Sequence, residues 1–280
     1  MKIETLVDDI YGVIGSGKEV PEEATNAFTR DLAGIIKQRV QDARGKAGYL
    51  RVSNLGEHCD RKLWLSVNHP DTAEPLPPNA LLKFLLGDVW EAVLLFLARV
   101  SGHDVKGEQD EVSLFGVTGH RDAVIDGTVV DVKSASTRSF SKFEDGLSHE
   151  TDSFGYIFQL QSYLECGQDD PVVTDKDRAA FLVGDKTLGD LHLDMHSRHK
   201  IDFEALVQKK KEMLASPKLP PRGYPDVEDG KSGNRKLGVA CSYCPFKKVC
   251  WTNLRGFAYS NGPRFLTNVN RLPDVPEFPV

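Results

Sequence analysis

The 280-residue sequence predicts an α/β or α+β fold: a mixed sheet with helices on its faces, flanked by a helical, cysteine-bearing cap. Three observations predict it. Helical periodicity dominates to about residue 100. Three strand-like segments then follow one another between 103 and 133. After them come a helix, a second strand pair, another helix, and a tail holding three of the five cysteines. The length suits one large domain or two small ones, and the composition is that of an ordinary globular chain.

Taken in order, residues 24–44 put Phe28, Leu32, Ile35, Ile36 and Val40 at helical spacing and predict an amphipathic helix. Ser53 or Asn54 can cap a helix through L-G-E-H-C-D-R-K-L-W-L-S, with Cys59 inside it. A Pro-rich connection over 71–78 precedes a helix capped by Asn79 and running to about Val100. Its Leu, Val and Phe positions wrap it so widely that near-complete burial is expected. Glu91 is conspicuous there, because a buried carboxylate needs a partner or a metal. Segments 105–114, 117–125 and 128–132 form a strand meander, with Asp126-Gly127 as a two-residue hairpin turn.

Residues 152–166 read as a helix with Phe154, Ile157, Phe158, Leu160 and Leu164 as its apolar positions. Segments 179–183 and 188–193 make a second hairpin, 203–215 an amphipathic helix with a basic face, and 217–225 a linker. The tail carries the cysteine cluster and is expected to end in an irregular Pro-rich segment. The apolar stretches 81–86 and 92–98 are too short and too close to charges to span a bilayer. The first residues carry early acids and no apolar signal core, so a cytoplasmic protein is expected.

The candidate chemistry centres on V-V-D-V-K-S at 129–134. Acid-x-Lys starts at Asp60, Asp104, Asp131 and Asp229, but only Asp131 ends a β-branched run with a further acid, Asp122, one hairpin away. On a strand, Asp131 and Lys133 point the same way. Carboxylates from adjacent strands, with the Val132 carbonyl between them, suit a hard cation such as Mg²⁺ or Mn²⁺. Such a cation neutralises phosphate oxygens and activates water for phosphodiester hydrolysis, while the lysine orients that water or stabilises charge. Glu91 would supply a third acid. Gln159 and Tyr163, four apart on the next helix, share a face.

Cys241-x-x-Cys244 with Cys250 is a metal-type spacing that needs a fourth thiolate, from Cys59 or Cys166; spacing alone leaves zinc and iron–sulfur both open. The odd cysteine count without an export signal speaks against structural disulfides.

The ordered set Gly87-x-x-x-Glu91, Gly119-His120-Arg121-Asp122, Asp131-Val132-Lys133 and Gln159-x-x-x-Tyr163 resembles the RecB-type branch of the PD-(D/E)XK nuclease superfamily, over roughly 53–165. The cysteines extend the resemblance to about 255, towards the iron–sulfur members: the CRISPR-associated RecB-like exonucleases and the AddB nuclease domain. The resemblance implies a restriction-endonuclease-like core with a mixed central sheet. It implies Glu91, Asp122 and Asp131 as metal ligands, Lys133 as the catalytic lysine, and Gln159 and Tyr163 as substrate-strand contacts. It also implies a [4Fe–4S] cluster on Cys59, Cys241, Cys244 and Cys250. The expected organisation is a helical region over 1–52, a nuclease core over 53–215, and an iron–sulfur segment over 216–280 that closes back on Cys59.

The expected activity is exonucleolytic cleavage of DNA ends, with single-stranded DNA and 5′-to-3′ polarity implied by the family. The chain carries no G-x-x-x-x-G-K-[ST] motif of its own, so it is expected to act as a free nuclease or to borrow a partner such as a recombinase, annealing protein or helicase. The setting would be phage or mobile-element DNA metabolism, or CRISPR adaptation. A net charge of −6 excludes a protein that simply coats nucleic acid, though local basic patches can still track phosphates. Arg61, Ser134, Arg138 and Lys142 lie near the site in sequence and are candidate phosphate contacts. The rival readings are a non-catalytic DNA-binding or assembly subunit and a structure-specific endonuclease.

Overall fold

The computed structural model describes residues 1–41 and 48–280. Two compact units emerge: among the described residues the first takes in 1–41, 50–56 and 77–208, and the second 48–49, 57–76 and 209–280. Helices α1 (Leu6–Val13) and α2 (Glu22–Gln41) open the first unit, α3 (Asp60–Asn68) belongs to the second, and α4 (Pro78–Ser101) returns to the first. Positions 42–44, the end of the helix expected over 24–44, lie outside the described residues. No helix among the described residues is long and apolar enough to cross a membrane.

Short strands β1 (Val105–Lys106), β2 (Glu111–Leu114), β3 (Val117–His120) and β4 (Ala123–Ile125) follow, then the longer β5 (Thr128–Ala135). Helices α5 (Thr137–Glu144) and α6 (Tyr156–Cys166) cross over to β6 (Arg178–Asp185), which turns back into β7 (Leu191–Ser197). The central sheet has the order β1-β4-β5-β6-β7; β5 and β6 run parallel and every other pairing is antiparallel. It is therefore the expected mixed sheet flanked by helices. The alternation of β5 and β6 explains the layering, because side chains two apart share a face. Val129, Ala179, Phe181 and Val183 pack with Phe140, Phe143, Ile157 and Leu160 of α5 and α6. Val130, Val132, Ala180 and Leu182 pack with Leu6, Ile10, Leu94 and Ala98 of α1 and α4.

The predicted single meander is corrected. β2 and β3 form a separate two-stranded ribbon, because Gly107 and Gln109 adopt left-handed backbone angles that break the run after Lys106. The Asp126-Gly127 turn is as expected, with both residues at positive φ (49° and 83°), as a type I′ hairpin requires. α4 is also corrected. Pro78 starts it, where a missing N–H costs nothing, and Gly102 ends it at φ 108°. Its first half is not buried: Leu81, Leu82, Phe84 and Leu86 are exposed, and the helix meets the core from Trp90, with its fully buried positions beginning at Leu94. Helix α6 begins at Tyr156, not 152, so Phe154 leaves the apolar face and stands in a loop.

Arg121 is almost fully buried beside the β2–β3 ribbon. Its guanidinium pairs with Asp110 at 3.0 Å and Asp170 at 2.6 Å, and its Nε donates to the Gly107 carbonyl. Arg121 is the buried member of these pairs, while Asp110 and Asp170 keep contact with solvent, so truncation costs its packing and its hydrogen bond to the Gly107 carbonyl: Arg121→Ala is expected to lose roughly 2–5 kcal/mol in denaturant unfolding. Arg121→Met, which keeps most of the volume, should recover part of that loss.

The helix expected from Leu55 and over Cys59 begins only at Asp60, five residues later. Cys59 is the extended N-cap of α3, and its amide is held by the Glu57 carboxylate at 3.1 Å. Helix α7 (Phe203–Ala215) matches its expected span. The Pro-rich end of the tail is irregular over 269–276, as expected, but the tail carries more regular structure than the sequence suggests. β8 (Val227–Glu228), β9 (Arg235–Lys236), β10 (Arg255–Tyr259), β11 (Gly262–Asn268) and β12 (Glu277–Phe278) form a five-stranded antiparallel sheet in the order β12-β10-β11-β9-β8. The one-turn helices α8 (Val239–Ser242) and α9 (Lys247–Cys250) carry Cys241 and Cys250, and Cys244 lies in the turn between them.

Candidate active site and cysteine-lined cavity

The sheet itself creates the site. β4 pairs with β5 only as far as Ala123 opposite Val130. Beyond that point the β4 side of β5 has no strand, and the Val132 amide would lose its partner. The Asp122 carboxylate takes that place: Oδ2 accepts from the Val132 N–H at 2.8 Å. The two acids flanking this break, Asp122 and Asp131, are thus held together by local backbone geometry. Asp131 is buried, and its Oδ2 forms an ion pair with Lys133 Nζ.

Helix α6 covers this face of β5, and Gln159 Nε2 donates to Asp131 Oδ1 at 3.2 Å. Tyr163 lies one turn further along α6 and is buried; burial first, then the Asp131 and Asp122 charges, push its phenol above the ordinary range. From the other face, α4 is seated by Trp90, whose ring fills the space over Gly184 that any side chain there would need. That seating sets Glu91 within electrostatic reach of Asp131 and Asp122, its Oε1 accepting from Gln109 Nε2 at 2.7 Å.

The electrostatics are those of crowded acids around one cation. Burial, then the Asp131 and Asp88 charges, raise Glu91 to about 7. Burial, then Asp131 and Glu91, push Asp122 well above the usual carboxylate range. Burial alone would lower Lys133, but Asp131 and Asp122 outweigh it and hold the ammonium well above its ordinary value. Lys133 is therefore a cation at neutral pH, suited to stabilising negative charge and unsuited to accepting a proton.

A raised carboxyl fixes the sign of a pH effect. Between the ordinary value of 4.5 and about 7 the folded Glu91 holds a proton that the unfolded chain has released. Stability of metal-free protein should therefore fall, by roughly 1–3 kcal/mol, as pH rises from 5 to 8. Thermal melts should show Glu91→Gln flattening that slope, and Mg²⁺ or Mn²⁺ at pH 8 should raise the melting temperature of the wild type more than that of the variant.

Two neighbours escaped the sequence reading. Tyr156 places its ring 4.8 Å from Lys133 Nζ. Its position three before Gln159 and seven before Tyr163 puts it on the same helical face, a signal the sequence does contain. Gln109 sits in a loop and gave no such signal. Among the remaining candidates, Ser134 and Lys142 line a groove beside Lys133, whereas Arg138 is exposed on α5 and does not line it. Arg61 lies in the second unit, its guanidinium bound to the Pro220 carbonyl at 2.6 Å and 3.7 Å from Cys250 Sγ.

Within the second unit, Cys59, Cys241, Cys244 and Cys250 line one cavity together with Lys62, Arg222 and Trp251. Gly223 presses on Cys59 so closely that a side chain there would collide with its sulfur. Burial, then the neighbouring cysteines Cys59 and Cys250, push Cys241 up; burial carries Cys244 to about 11. Cys166 lies in the first unit, its thiol pushed by burial to about 12. Among the described residues, no three His, Cys, Asp or Glu side chains converge closely enough to hold a single metal ion as they stand.

No family model matches the chain, and no curated protein matches it. Among solved structures, the chain is similar to the one described as the crystal structure of SSO0001, at 14% identity and a TM-score of 0.41, over 81% of this chain and 95% of that one. It is also similar to an alkaline exonuclease (LHK-Exo) from Laribacter hongkongensis, at 12% identity and a TM-score of 0.35, over 61% of this chain and 86% of that one.

Proposed function

We propose that the chain is a divalent-cation-dependent deoxyribonuclease that hydrolyses phosphodiester bonds at DNA ends. The observation that carries this reading is the gathering of Glu91, Asp122, Asp131, Lys133 and Gln159 where β4 stops short beside β5. The fit to a hard cation rests on the donor set. Besides burial, the Asp131 charge helps to raise both Glu91 and Asp122, and such a cation would relieve that repulsion. Mg²⁺ keeps several waters and needs only one or two carboxylates, so full convergence of all three is not required. Glu91, Asp122, Asp131 and the Val132 carbonyl would hold it. When bound, it would supply charge neutralisation at the phosphate and a more acidic attacking water.

The chain's own residues do the rest. Gln159 fixes the Asp131 carboxylate, and the Val132 amide fixes that of Asp122. Lys133, held cationic, offers its ammonium to the negative charge that builds on the scissile phosphate. In the same reading the four cysteines of the second unit hold a [4Fe–4S] cluster. The four thiols lining one cavity support a shared metal centre, and the one-early, three-late order of the cysteines that the family resemblance rests on is the reason for choosing the cluster over zinc.

The test is incubation of purified protein with Mg²⁺ or Mn²⁺ on linear and circular single-stranded DNA. Shortening of the linear strand alone is the expected result. Cleavage of the circle would make the enzyme an endonuclease. Binding without cleavage of either would make it a non-catalytic DNA-binding subunit.

A further inference from the structure

The loop between α5 and α6 presents an aromatic ring to solvent at a position the loop holds firmly. Phe154 is 73% exposed. Its backbone is nonetheless fixed: the Asp152 carboxylate, itself buried, accepts from the amides of Phe154 at 3.0 Å, Gly155 at 2.9 Å and Ile157 at 2.9 Å. Gly155 has φ 77° and lies against the Gly56 carbonyl, where a Cβ would come to 2.6 Å. An exposed phenyl ring in so constrained a loop is not explained by packing.

Its neighbours say what it faces. The Phe154 ring lies 5.4 Å from that of Tyr156 at an angle of 30°, and Tyr156 lies 4.8 Å from Lys133 Nζ. Phe154, Tyr156 and Lys133 line one groove with Lys83, Lys142 and Lys186. Lys142 Nζ reaches the Thr151 carbonyl at 3.0 Å, and among the described residues none of these three outer lysines is paired with a carboxylate. The arginines and lysines of the C-terminal sheet differ: Arg235, Lys236, Arg255 and Arg264 are all paired with acids. Uncommitted ammonium groups around an exposed ring are what an unpaired strand requires, since phosphates need cations and an unstacked base needs a flat apolar surface. A duplex keeps its bases stacked and offers Phe154 nothing.

We infer that Phe154 is a base-stacking platform that selects unpaired DNA at the mouth of the site, with Lys83, Lys142 and Lys186 holding the flanking phosphates. This rests on the nuclease reading for the role of Lys133. The test therefore measures binding separately from cleavage. Fluorescence anisotropy without divalent cations would follow a short oligothymidylate, an abasic strand of the same length, and a duplex.

Phe154→Ala should weaken oligothymidylate binding by roughly ten- to a hundredfold and leave abasic and duplex binding unchanged. Phe154→Trp should restore it. Replacing the three lysines by Ala should weaken binding of both single strands and lower the salt dependence by about two counterions. Equal binding of oligothymidylate and abasic strand by wild type, or an unchanged affinity for Phe154→Ala, would overturn the platform. Absence of cleavage by wild type with Mg²⁺ or Mn²⁺ would overturn the nuclease reading instead, and the binding series would still decide the role of Phe154.

Discussion

Lys133→Ala is expected to lower cleavage of linear single-stranded DNA by roughly a hundred- to a thousandfold, the loss typical of removing one preorganised group that meets developing charge. Binding to the same strand without divalent cation should change far less, because the outer lysines of the groove remain. The substitution also leaves Asp131 buried without its ion-pair partner. Part of any loss could then come from local misfolding. Lys133→Met separates the two effects: it fills the space, and its activity should be as low as that of the Ala variant with less loss of thermal stability. If both variants cleave as wild type does, the activity belongs to a contaminant or to another site.

The second large effect is expected at the cysteines. Purified anaerobically, the wild type should be brown with broad visible absorbance and about four iron atoms per chain, as a [4Fe–4S] cluster requires. Cys59→Ser and Cys250→Ser should each lose the absorbance and the iron. They should also lose a large part of the stability of the second unit, since a bound metal group contributes directly to folding free energy. Cys166→Ser should keep both, because Cys166 is not among the residues that line the cavity. A colourless anaerobic preparation with stoichiometric zinc would keep the four-cysteine site and replace its occupant.

The parts of the fold written in local chemistry were legible in advance. β5 announced itself through a β-branched run, the β4–β5 turn through Asp126-Gly127, and α7 through its periodicity. Spacing stated that Asp131 and Lys133 share a strand face and that Gln159 and Tyr163 share a helix face; it was the family resemblance that set the two pairs and Asp122 in one site. From the residues alone Glu91 was legible as a buried acid in search of a partner; its place as a metal ligand came from the resemblance.

What could not be read depends on tertiary context. Leu81, Leu82 and Leu86 have the composition of a buried helix face but remain exposed. The C-terminal sheet is built from strands as short as two residues, too short to show alternation. The detachment of the β2–β3 ribbon turns on two positive φ angles, and one of them belongs to a glutamine. Phe154 was assigned to an apolar helix face because composition cannot tell that Asp152 ends the loop by gathering three amides.

The parallel pairing of β5 with β6 sets the order in which the molecule can become active. Asp131 lies on β5, and Gln159, which fixes it, lies on the crossover that must close before Val129 can meet Ala179. Contacts so distant along the chain form late, because the entropy of closing the loop is lost before any pairing rewards it. On refolding from denaturant, helical signal should therefore return before nuclease activity does. A chain caught between those two moments would carry most of its helices and none of its chemistry.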